Sequence, residues 1–275
     1  MSAGTLYVVA TPLGNLEDIT FRAVRILREV PIIACEDTRR TVKLLNRYEI
    51  RTPMTVFHDY NKARAGAGIL RRLREGESVA LVSDAGTPGI SDPGYELVRD
   101  AVAAGIPIEV IPGPSALVSA LVISGLPTDH FVFEGFLPNR KERRRKALHA
   151  LSGETRTMIF YESPQRVAAF LADAVEAFGE RRACVVRELT KIHEEILRGS
   201  LPELALEISG RESVLGEITV VVGGAPKTIE LSVEDVVRAA LEDASGSSRD
   251  LAREIADRTG VSRKEIYEEI LRQRK

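Results

Sequence analysis

The segment at residues 81–94 follows an apolar strand and is rich in glycine and small polar residues. It reads LVSDAGTPGISDPG, with three glycines, two prolines and the carboxylate of Asp84 at the end of the strand. Glycine adopts backbone conformations that other residues avoid, proline stiffens turns, and small side chains let the backbone approach a ligand closely. We therefore predict that this segment is a rigid ligand-binding loop.

Several familiar ligand motifs do not occur in this chain. The sequence contains no G-x-x-x-x-G-K-[ST] phosphate loop, no G-x-G-x-x-G dinucleotide motif, no G-x-S-x-G elbow, no H-E-x-x-H and no paired C-x-x-C, and its four histidines are scattered. The loops at 83–94 and 112–115 also lack cations. A site of backbone groups, small hydroxyls and Asp84 suits S-adenosylmethionine, whose sulfonium is a cation, better than a polyphosphate.

Two acidic residues at another strand end are candidates for acid-base chemistry. Glu36 and Asp37 follow a predicted strand at 31–35, and ligands of open α/β sheets collect at the carboxyl ends of strands. Together with the loop carboxylate they are candidates for a general base, which typically contributes about 10² to 10⁴-fold to a rate. Arg39 and Arg40 beside them either bind a substrate phosphate or form structural ion pairs with these acids.

One short segment is strongly basic. Residues 140–146 read RKERRRK, and their six cations are Arg140, Lys141, Arg143, Arg144, Arg145 and Lys146. Such a run is either a solvated helix face or part of a surface that binds RNA backbone. We hypothesise that these cations form one RNA-binding surface with Arg39 and Arg40. Candidates for stacking on bases are Phe136, Tyr161 and Tyr60.

The elements that must position these residues alternate between strands and helices up to about residue 125. The predicted strands lie at 5–10, 31–35, 78–83 and 106–111, and the predicted helices at 20–29, 66–75 and 93–104, with further helices after Asp37 and Ser115. Asp92 is the expected N-cap of the helix at 93–104. This alternation is typical of an α/β fold.

After residue 126 the strands come closer together, which indicates a mixed sheet. Predicted strands lie at 131–136, 155–161, 182–188, 194–200 and 217–222, and predicted helices at 140–151 and 164–178. We therefore predict an N-terminal α/β lobe at 1–126, a C-terminal α/β lobe at 127–226 and a helical extension at 227–275.

The predicted extension contains three short helices. Ser232 starts the first, residues 245–248 break it, the second spans 250–258, and Ser262 with Glu265 is expected to form a capping box at the third. The inward positions are Leu251, Ile255, Val261, Ile266 and Ile270. Two short helices joined by a glycine turn resemble a helix-turn-helix, so the extension either contacts nucleic acid or is a packing or dimerisation bundle.

Bulk properties are those of a soluble globular protein. The chain has 275 residues, a net charge of −2, 44% hydrophobic and 28% charged residues. No apolar run approaches the roughly 20 residues of a membrane span, and the first residues lack the pattern of a signal peptide. Because its two cysteines, Cys35 and Cys184, are far apart in the sequence, we expect a cytoplasmic protein with reduced thiols and no membrane association.

Ordered motifs between residues 4 and 224 resemble the tetrapyrrole methylase superfamily, and within it the members that methylate ribosomal RNA. They are TPLGNLED (11–18), EDTR (36–39), SDAGTP (83–88), DPG (92–94), PGP (112–114), GLP (125–127), FEGFLP (133–138), FYES (160–163) and RELTK (187–191). The resemblance implies two α/β lobes with S-adenosylmethionine in the cleft between them, in a homodimer without a metal. It also implies methyl transfer to the ribose 2′-hydroxyl of a cytidine in the decoding region of 16S rRNA, in the small ribosomal subunit.

The resemblance further implies which residues contact the cofactor. They are Asp84, Ala85, Gly86 and Thr87 after one strand, Pro112, Ser115 and Ala116 at the next turn, Met158, Ile159 and Phe160 as an adenine wall, and Glu217 on a late strand. Two alternatives remain, a precorrin-type tetrapyrrole methyltransferase and a non-catalytic RNA-binding protein with a vestigial pocket. Many tetrapyrrole methylases have Gly-Asp-Pro where this chain has Ser83-Asp84-Ala85, which disfavours the first alternative.

Overall fold

The computed structural model describes residues 3–226, 233–243 and 247–274. The chain forms two compact units, Met1–Ala225 and Pro226–Lys275. Within these described ranges, the first unit contains two five-stranded sheets and the second contains three helices. No described helix is long and apolar enough to cross a membrane.

The first sheet is wholly parallel, with the strand order β3-β2-β4-β1-β5. Its strands are β1 (Leu6–Val9), β2 (Ile32–Cys35), β3 (Met54–Val56), β4 (Val79–Val82) and β5 (Ile108–Ile111). The helices α1 (Phe21–Glu29), α2 (Thr38–Arg47), α3 (Lys62–Arg74) and α4 (Tyr95–Ala103) connect successive strands. All four residues of β4 are buried because alternate side chains enter apolar cores on opposite faces of the sheet. The predicted α/β fold is confirmed.

The second sheet is mixed, as predicted, with the order β6-β7-β10-β8-β9. Its strands are β6 (Phe131–Phe136), β7 (Thr157–Glu162), β8 (Arg182–Arg187), β9 (Glu195–Ser200) and β10 (Ile218–Val222). Only the β6–β7 pair is parallel within residues 3–226 of this sheet. One face packs against α6 (Lys141–Ala150), α7 (Val167–Phe178) and α8 (Leu201–Ser209), and the other against α5 (Ala116–Ser124). Helix α5 therefore packs on the second sheet although it precedes the predicted lobe boundary at 126.

Local differences remain between the predicted and the observed elements of the first unit. Strand β3 and helix α8 were not predicted, although α8 begins with a capping box in which the Ser200 backbone N–H donates to Glu203 Oε2 at 2.8 Å. The prediction that Asp92 caps the next helix is wrong, because α4 begins at Tyr95 and Gly94 is its N-cap. Gly94 has a φ of 150°, a conformation that favours glycine and turns the chain into the helix here.

The second unit consists of α9 (Val233–Asp243), α10 (Ser248–Thr259) and α11 (Arg263–Gln273). The predicted inward residues Leu251, Ile255, Ile266 and Ile270 are buried, and Val261 is partly buried against them. Gly260, with a φ of 72°, ends α10 in the left-handed conformation. The predicted capping box at Ser262 is wrong, because its side chain makes no hydrogen bond to the first turn of α11. The predicted helix start at Ser232 and residues 245 and 246 of the predicted break lie outside the described residues.

Candidate active site

A cleft of about 470 Å³ opens between the two sheets of the first unit. The first sheet contributes residues that follow β2, β4 and β5, and the second contributes the end of β7, the start of β10 and the loop between β8 and β9. The cleft lies at the carboxyl edge of the parallel sheet, where ligands of open α/β sheets bind. Its volume is within the range of small-molecule sites.

Three loops of the first sheet are tied together at this edge. Thr11 and Gly86 exchange two backbone hydrogen bonds, with N···O distances of 2.8 and 2.9 Å. The Thr87 hydroxyl donates to the Pro114 carbonyl at 3.4 Å. Gly86 has a φ of 81°, and a side chain there would also approach Leu13 at 3.3 Å. The predicted loop is therefore held by its neighbours, and glycine is required at its turn.

Asp84 links the ends of two strands. One carboxylate oxygen accepts the backbone N–H of Asp37 at 3.1 Å, and the other lies 3.4 Å from Nε of Arg40. Burial raises the pKa of Asp84, while the positive charge of Arg40 and the N–H bond oppose this shift. The carboxylate is thus positioned by the backbone and turned towards a cation in the cleft.

Arg40 lies in the cleft and connects the two sheets. Besides Asp84, its guanidinium faces Glu217 of the second sheet at 3.9 Å. Glu217 Oε2 in turn accepts from Lys191 Nζ at 3.1 Å. Arg40 was predicted to bind RNA, whereas its ion pairs make it part of the cleft wall. The structural alternative considered for this arginine is therefore the one that the geometry supports.

The two predicted catalytic acids occupy different environments. Glu36 lines the cleft, and burial together with the negative charges of Asp84 and Asp59 raises its pKa. Asp37 does not line the cleft, because it caps α2 and pairs with Arg39, whose guanidinium lies 2.7 Å from Oδ2. Hydrogen bonds from Arg39 lower the pKa of Asp37 to about 2. A carboxylate with so little affinity for a proton is unsuited to be a base, whereas Glu36 lies in the cleft and stays a candidate.

Most of the residues predicted to contact a cofactor line the cleft. They are Asp84, Ala85, Gly86, Thr87, Ser115, Ala116 and Glu217. Pro112 lies outside the lining, as do Met158, Ile159 and Phe160. The last three side chains are fully buried in the cores on the two faces of the second sheet. They therefore support the cleft from behind rather than form its surface.

The next two residues of β7, Tyr161 and Glu162, line the cleft where 158–160 do not. The Tyr161 hydroxyl accepts the backbone N–H of Leu117 at 3.1 Å, and its ring contacts Phe136 with centroids 5.6 Å apart. Burial raises the pKa of Tyr161 to about 12. The FYES motif already contained both residues, but the sequence did not show which part of the motif faces the ligand.

The loop between β8 and β9 fastens the second sheet to the first. The Asn15 backbone N–H donates to the Thr190 hydroxyl at 3.2 Å. Lys191 Nζ lies 2.8 Å from a carboxylate oxygen of Glu188, and the aliphatic part of the Lys191 side chain packs on Gly14. Glu188 and Thr190 both have positive φ, at 53° and 64°. These contacts maintain a strained backbone beside the cleft.

We expect Gly14→Ala to weaken binding of a small molecule in the cleft by about tenfold and to destabilise the protein by about 1–3 kcal/mol. A methyl group at Gly14 would overlap the Lys191 side chain, which must then leave Glu188 and Glu217. Calorimetric titration and denaturant unfolding measure the two effects. Gly68→Ala is the matched control, because nothing lies within 4 Å of its added methyl group. Equal behaviour of the two variants would contradict the fastening role of Lys191.

The basic segment divides into exposed and engaged cations. Arg140, Lys141, Arg143 and Lys146 are exposed at the start of α6. Arg144 is buried and pairs with Asp173 of α7, so the prediction that it contacts RNA is wrong. Arg145 is half-buried and pairs with Glu176. The helix turns these two arginines towards α7 and leaves the other four cations to solvent.

Comparison with known proteins places these features in a family. Residues 5–205 match the family of tetrapyrrole (corrin/porphyrin) methylases. The chain is 45% identical to ribosomal RNA small subunit methyltransferase I of Halalkalibacterium halodurans, over 96% of this chain and 93% of the relative. It is 47% identical to the protein of the same name from Pseudomonas aeruginosa, over 98% of each chain.

A solved structure has the same fold. The uroporphyrin-III C-methyltransferase of Thermus thermophilus, in complex with S-adenosylhomocysteine, superimposes with a TM-score of 0.56. The match covers 79% of this chain and 97% of that one, at 19% identity, so the likeness concerns the fold alone. The family match and the two relatives confirm the resemblance inferred from the motifs. The chain belongs to the tetrapyrrole (corrin/porphyrin) methylase family.

Proposed function

We propose that this chain transfers a methyl group from S-adenosylmethionine to the ribose 2′-hydroxyl of a cytidine in the decoding region of 16S rRNA. The observation that carries the proposal is the near full-length identity, at 45 and 47%, to proteins named ribosomal RNA small subunit methyltransferase I. The cytidine and the 2′-hydroxyl follow from the resemblance of the motifs. The chemistry of the cleft and the charge beside it support the same reaction.

The cleft fits a ligand that carries positive charge. Five acidic residues line it, namely Glu36, Asp84, Asp92, Glu162 and Glu217, and Arg40 is the one cation among the lining residues, all of which lie within 3–226. The side chains of Ala85, Gly86 and Ala116 are small or absent, so a ligand can come close to the protein backbone there. S-adenosylmethionine, when bound, supplies a methyl group on a cationic sulfur. Asp84 and Glu217 are the residues best placed to compensate that charge.

Catalysis in such a site depends mainly on orientation. Transfer to an oxygen is an in-line displacement, and holding the two reacting groups in line can supply much of the rate enhancement. The chain must also accept the proton of the attacking hydroxyl. Within the described lining, Glu36 and Asp92 are the two carboxyl groups without an ion-pair partner. The predicted base, Glu36, is therefore one of two remaining candidates.

The exposed cations follow closely in the chain on a residue that lines the cleft. Phe136 lines the cleft and is 54% exposed. Arg140 follows four residues later, so the chain places its Cα within about 14 Å of that of Phe136. Phosphates of an RNA strand can thus contact Arg140, Lys141, Arg143 and Lys146 while a nucleotide enters the cleft. Phe136 is available to stack on a base there.

Mass mapping of methylated rRNA tests the proposal. The protein is incubated with isotopically labelled S-adenosylmethionine and either small ribosomal subunits or protein-free 16S rRNA, and the labelled fragments are sequenced. We expect a single 2′-O-methylated cytidine in the decoding region. Methylation of a base, or of another region, would contradict the proposal, and label transferred only to a tetrapyrrole would support the precorrin-type alternative. Binding of RNA without any transfer would support the non-catalytic alternative.

Replacing Lys141 and Arg143 together by alanine should reduce the salt dependence of RNA binding. Each lost phosphate contact with single-stranded RNA lowers the slope of log K against log salt by about 0.7, so the double variant should lose about 1.4. Filter binding or fluorescence anisotropy at several salt concentrations measures this slope. Arg25→Ala with Arg28→Ala on α1 removes the same charge from another exposed helix and should leave the slope unchanged. An equal change in both variants would mean that the effect comes from net charge alone.

We also infer that the protein acts as a homodimer of chains with lobes at 1–126 and 127–226 and an extension at 227–275. The motif resemblance implies the dimer. Val118 and Val122 are exposed one helical turn apart on α5. They are a candidate contact between the two chains of the dimer.

A further inference from the structure

We propose that Asp92 receives the proton of the attacking hydroxyl, an inference that rests on the proposed methyl transfer. The sequence suggested a different task for this residue, as the N-cap of a helix. Because α4 begins only at Tyr95, the Asp92 side chain is not used for capping and lines the cleft instead. It is therefore a candidate catalytic residue that sequence reasoning missed.

The backbone conformation around Asp92 directs this residue towards the cleft. Ser91 has a φ of 58°, and Gly89 and Gly94 have φ values of 84° and 150°. Adding a side chain to Gly94 would bring it to 3.2 Å from the Gly89 backbone, so the two glycines pack closely on each other. Three left-handed residues within six positions hold this loop in a compact shape with Asp92 towards the cleft.

The negative charges of three carboxylates act on Asp92. It faces Glu36 after β2, Asp84 after β4 and Glu217 before β10, and Tyr161 of β7 also lies near it. The hydroxyl of Ser83 lowers the pKa of Asp92 and so opposes part of this effect. Arg40, the cation of the cleft, pairs with Asp84 and Glu217 and not with Asp92. Burial without a neutralising cation favours the protonated form of a carboxyl group.

The other acids of the cleft have cationic neighbours. Asp84 and Glu217 have cationic partners, and Glu162 pairs with Arg166. Glu36 has no ion pair, but the charge of Arg40 lowers its pKa and so offsets part of the effect of burial. Burial and the charge of Glu36 raise the pKa of Asp92 to about 7. A general base is most effective when its pKa is near the working pH, and Asp92 meets this condition best.

The methyl transfer is a single displacement. The ribose 2′-oxygen forms a bond to the methyl carbon while the carbon–sulfur bond breaks, and the bonding pair remains on sulfur as a neutral thioether. The proton of the hydroxyl passes to a carboxylate oxygen of Asp92, which becomes a neutral acid and later returns the proton to water. Before the transfer, the positive charge of the sulfonium in the cleft keeps Asp92 ionised. Once that charge is lost from sulfur, the acidic surroundings restore its affinity for the proton.

Proton release on ligand binding tests this environment without any turnover. At pH 7 we expect wild-type protein to release about half a proton when it binds S-adenosylmethionine, because the cation lowers a pKa that starts near 7. S-adenosylhomocysteine, which lacks the sulfonium charge, should cause almost no release. Calorimetry in buffers of different ionisation enthalpy measures the number of protons. Asp92→Asn should abolish the release, whereas Asp100→Asn, on the exposed side of α4, should retain it. Equal release from the wild type and Asp92→Asn would overturn the proposal.

Single-turnover rates with small ribosomal subunits test the chemical role. At saturating S-adenosylmethionine, Asp92→Asn should lower the methylation rate by about 10² to 10⁴-fold, while its affinity for S-adenosylmethionine changes by less than tenfold. The bound cation lowers the pKa of Asp92, so the fall of the wild-type rate with decreasing pH should begin below neutrality, and this fall should disappear in the variant. A rate within about threefold of the wild type, or a larger loss in Glu36→Gln, would assign the proton to another group. Thermal melting verifies folding, and Asp92→Ser replaces the asparagine variant if that protein does not fold.

The two proposals fail in different ways. A wild-type protein that transfers no methyl group to rRNA would overturn the proposed function, and the role of Asp92 with it. A wild-type protein that methylates rRNA, with an Asp92→Asn variant that does so equally well, would overturn the role of Asp92 alone.

Discussion

Replacing Arg144 by alanine should lower the free energy of unfolding by about 3–5 kcal/mol, because it leaves a buried carboxylate without a partner. Two guanidinium nitrogens of Arg144 donate to Oδ2 of Asp173, at 2.9 and 2.6 Å, and both side chains are only 6% exposed. The pair joins α6 to α7 beside the core of the second sheet. Denaturant unfolding followed by circular dichroism measures the loss.

Two variants separate the ion pair from other effects. Arg143→Ala removes a neighbouring exposed cation and should change stability by less than about 0.5 kcal/mol. Replacing both partners, Arg144→Met with Asp173→Leu, should restore most of the lost stability, since buried pairs are often no more stable than apolar residues of similar volume. If Arg144→Ala unfolds like the wild type, the pair is not buried in solution. Because Arg144→Ala is expected to destabilise the fold, an alanine scan of RNA-binding residues should not include Arg144.

Asp84→Asn should weaken the binding of S-adenosylmethionine by about 10- to 100-fold, as expected for losing a charged hydrogen-bonding partner. Asparagine can still accept the backbone N–H of Asp37, which preserves the link between the two strand ends. The negative charge of Asp84 beside Arg40 is lost, however, so the guanidinium keeps only the more distant Glu217 as a partner and repels a cationic ligand more strongly. Isothermal titration calorimetry measures the affinity directly.

Comparison of two ligands shows whether charge is the cause. S-adenosylhomocysteine differs from the methyl donor by the methyl group and the sulfonium charge, so Asp84→Asn should weaken its binding much less. Asp100→Asn, an exposed carboxylate on α4, should affect neither ligand. Equal losses for both ligands would show that Asp84 acts by holding the loop, and unchanged binding would remove Asp84 from the site.

Features that depend on local backbone geometry were predictable. Glycine, proline and small residues after an apolar strand predicted the loop at 81–94. In the structure this loop lies at the carboxyl edge of a parallel sheet. The amphipathic spacing of α10 and α11 likewise predicted which residues are buried. Strand β3 was not predicted because it has only three residues, which lie at the edge of the sheet. None of them is buried.

Features that depend on distant partners were not predictable. Arg143 and Arg144 are adjacent in a run of cations, but only Arg144 faces α7, where Asp173 lies 29 residues further along the chain. Glu36 and Asp37 are adjacent acids, but only Glu36 faces the cleft because Asp37 caps α2 and pairs with Arg39. Charge type is a property of the sequence, whereas burial and pairing belong to the assembled elements.

By itself the sequence determined the α/β alternation, the ligand-binding loop and, through its ordered motifs, the family. These depend on hydrophobic periodicity and on residues with special backbone conformations, which act over a few positions. Only the tertiary structure decided that Arg40 bridges Asp84 and Glu217, that Tyr161 rather than the three residues before it lines the cleft, and that Asp92 enters the cleft. Each of these depends on two sheets meeting at one edge, where long-range contacts set burial and charge, and hence the proton affinity of every acid.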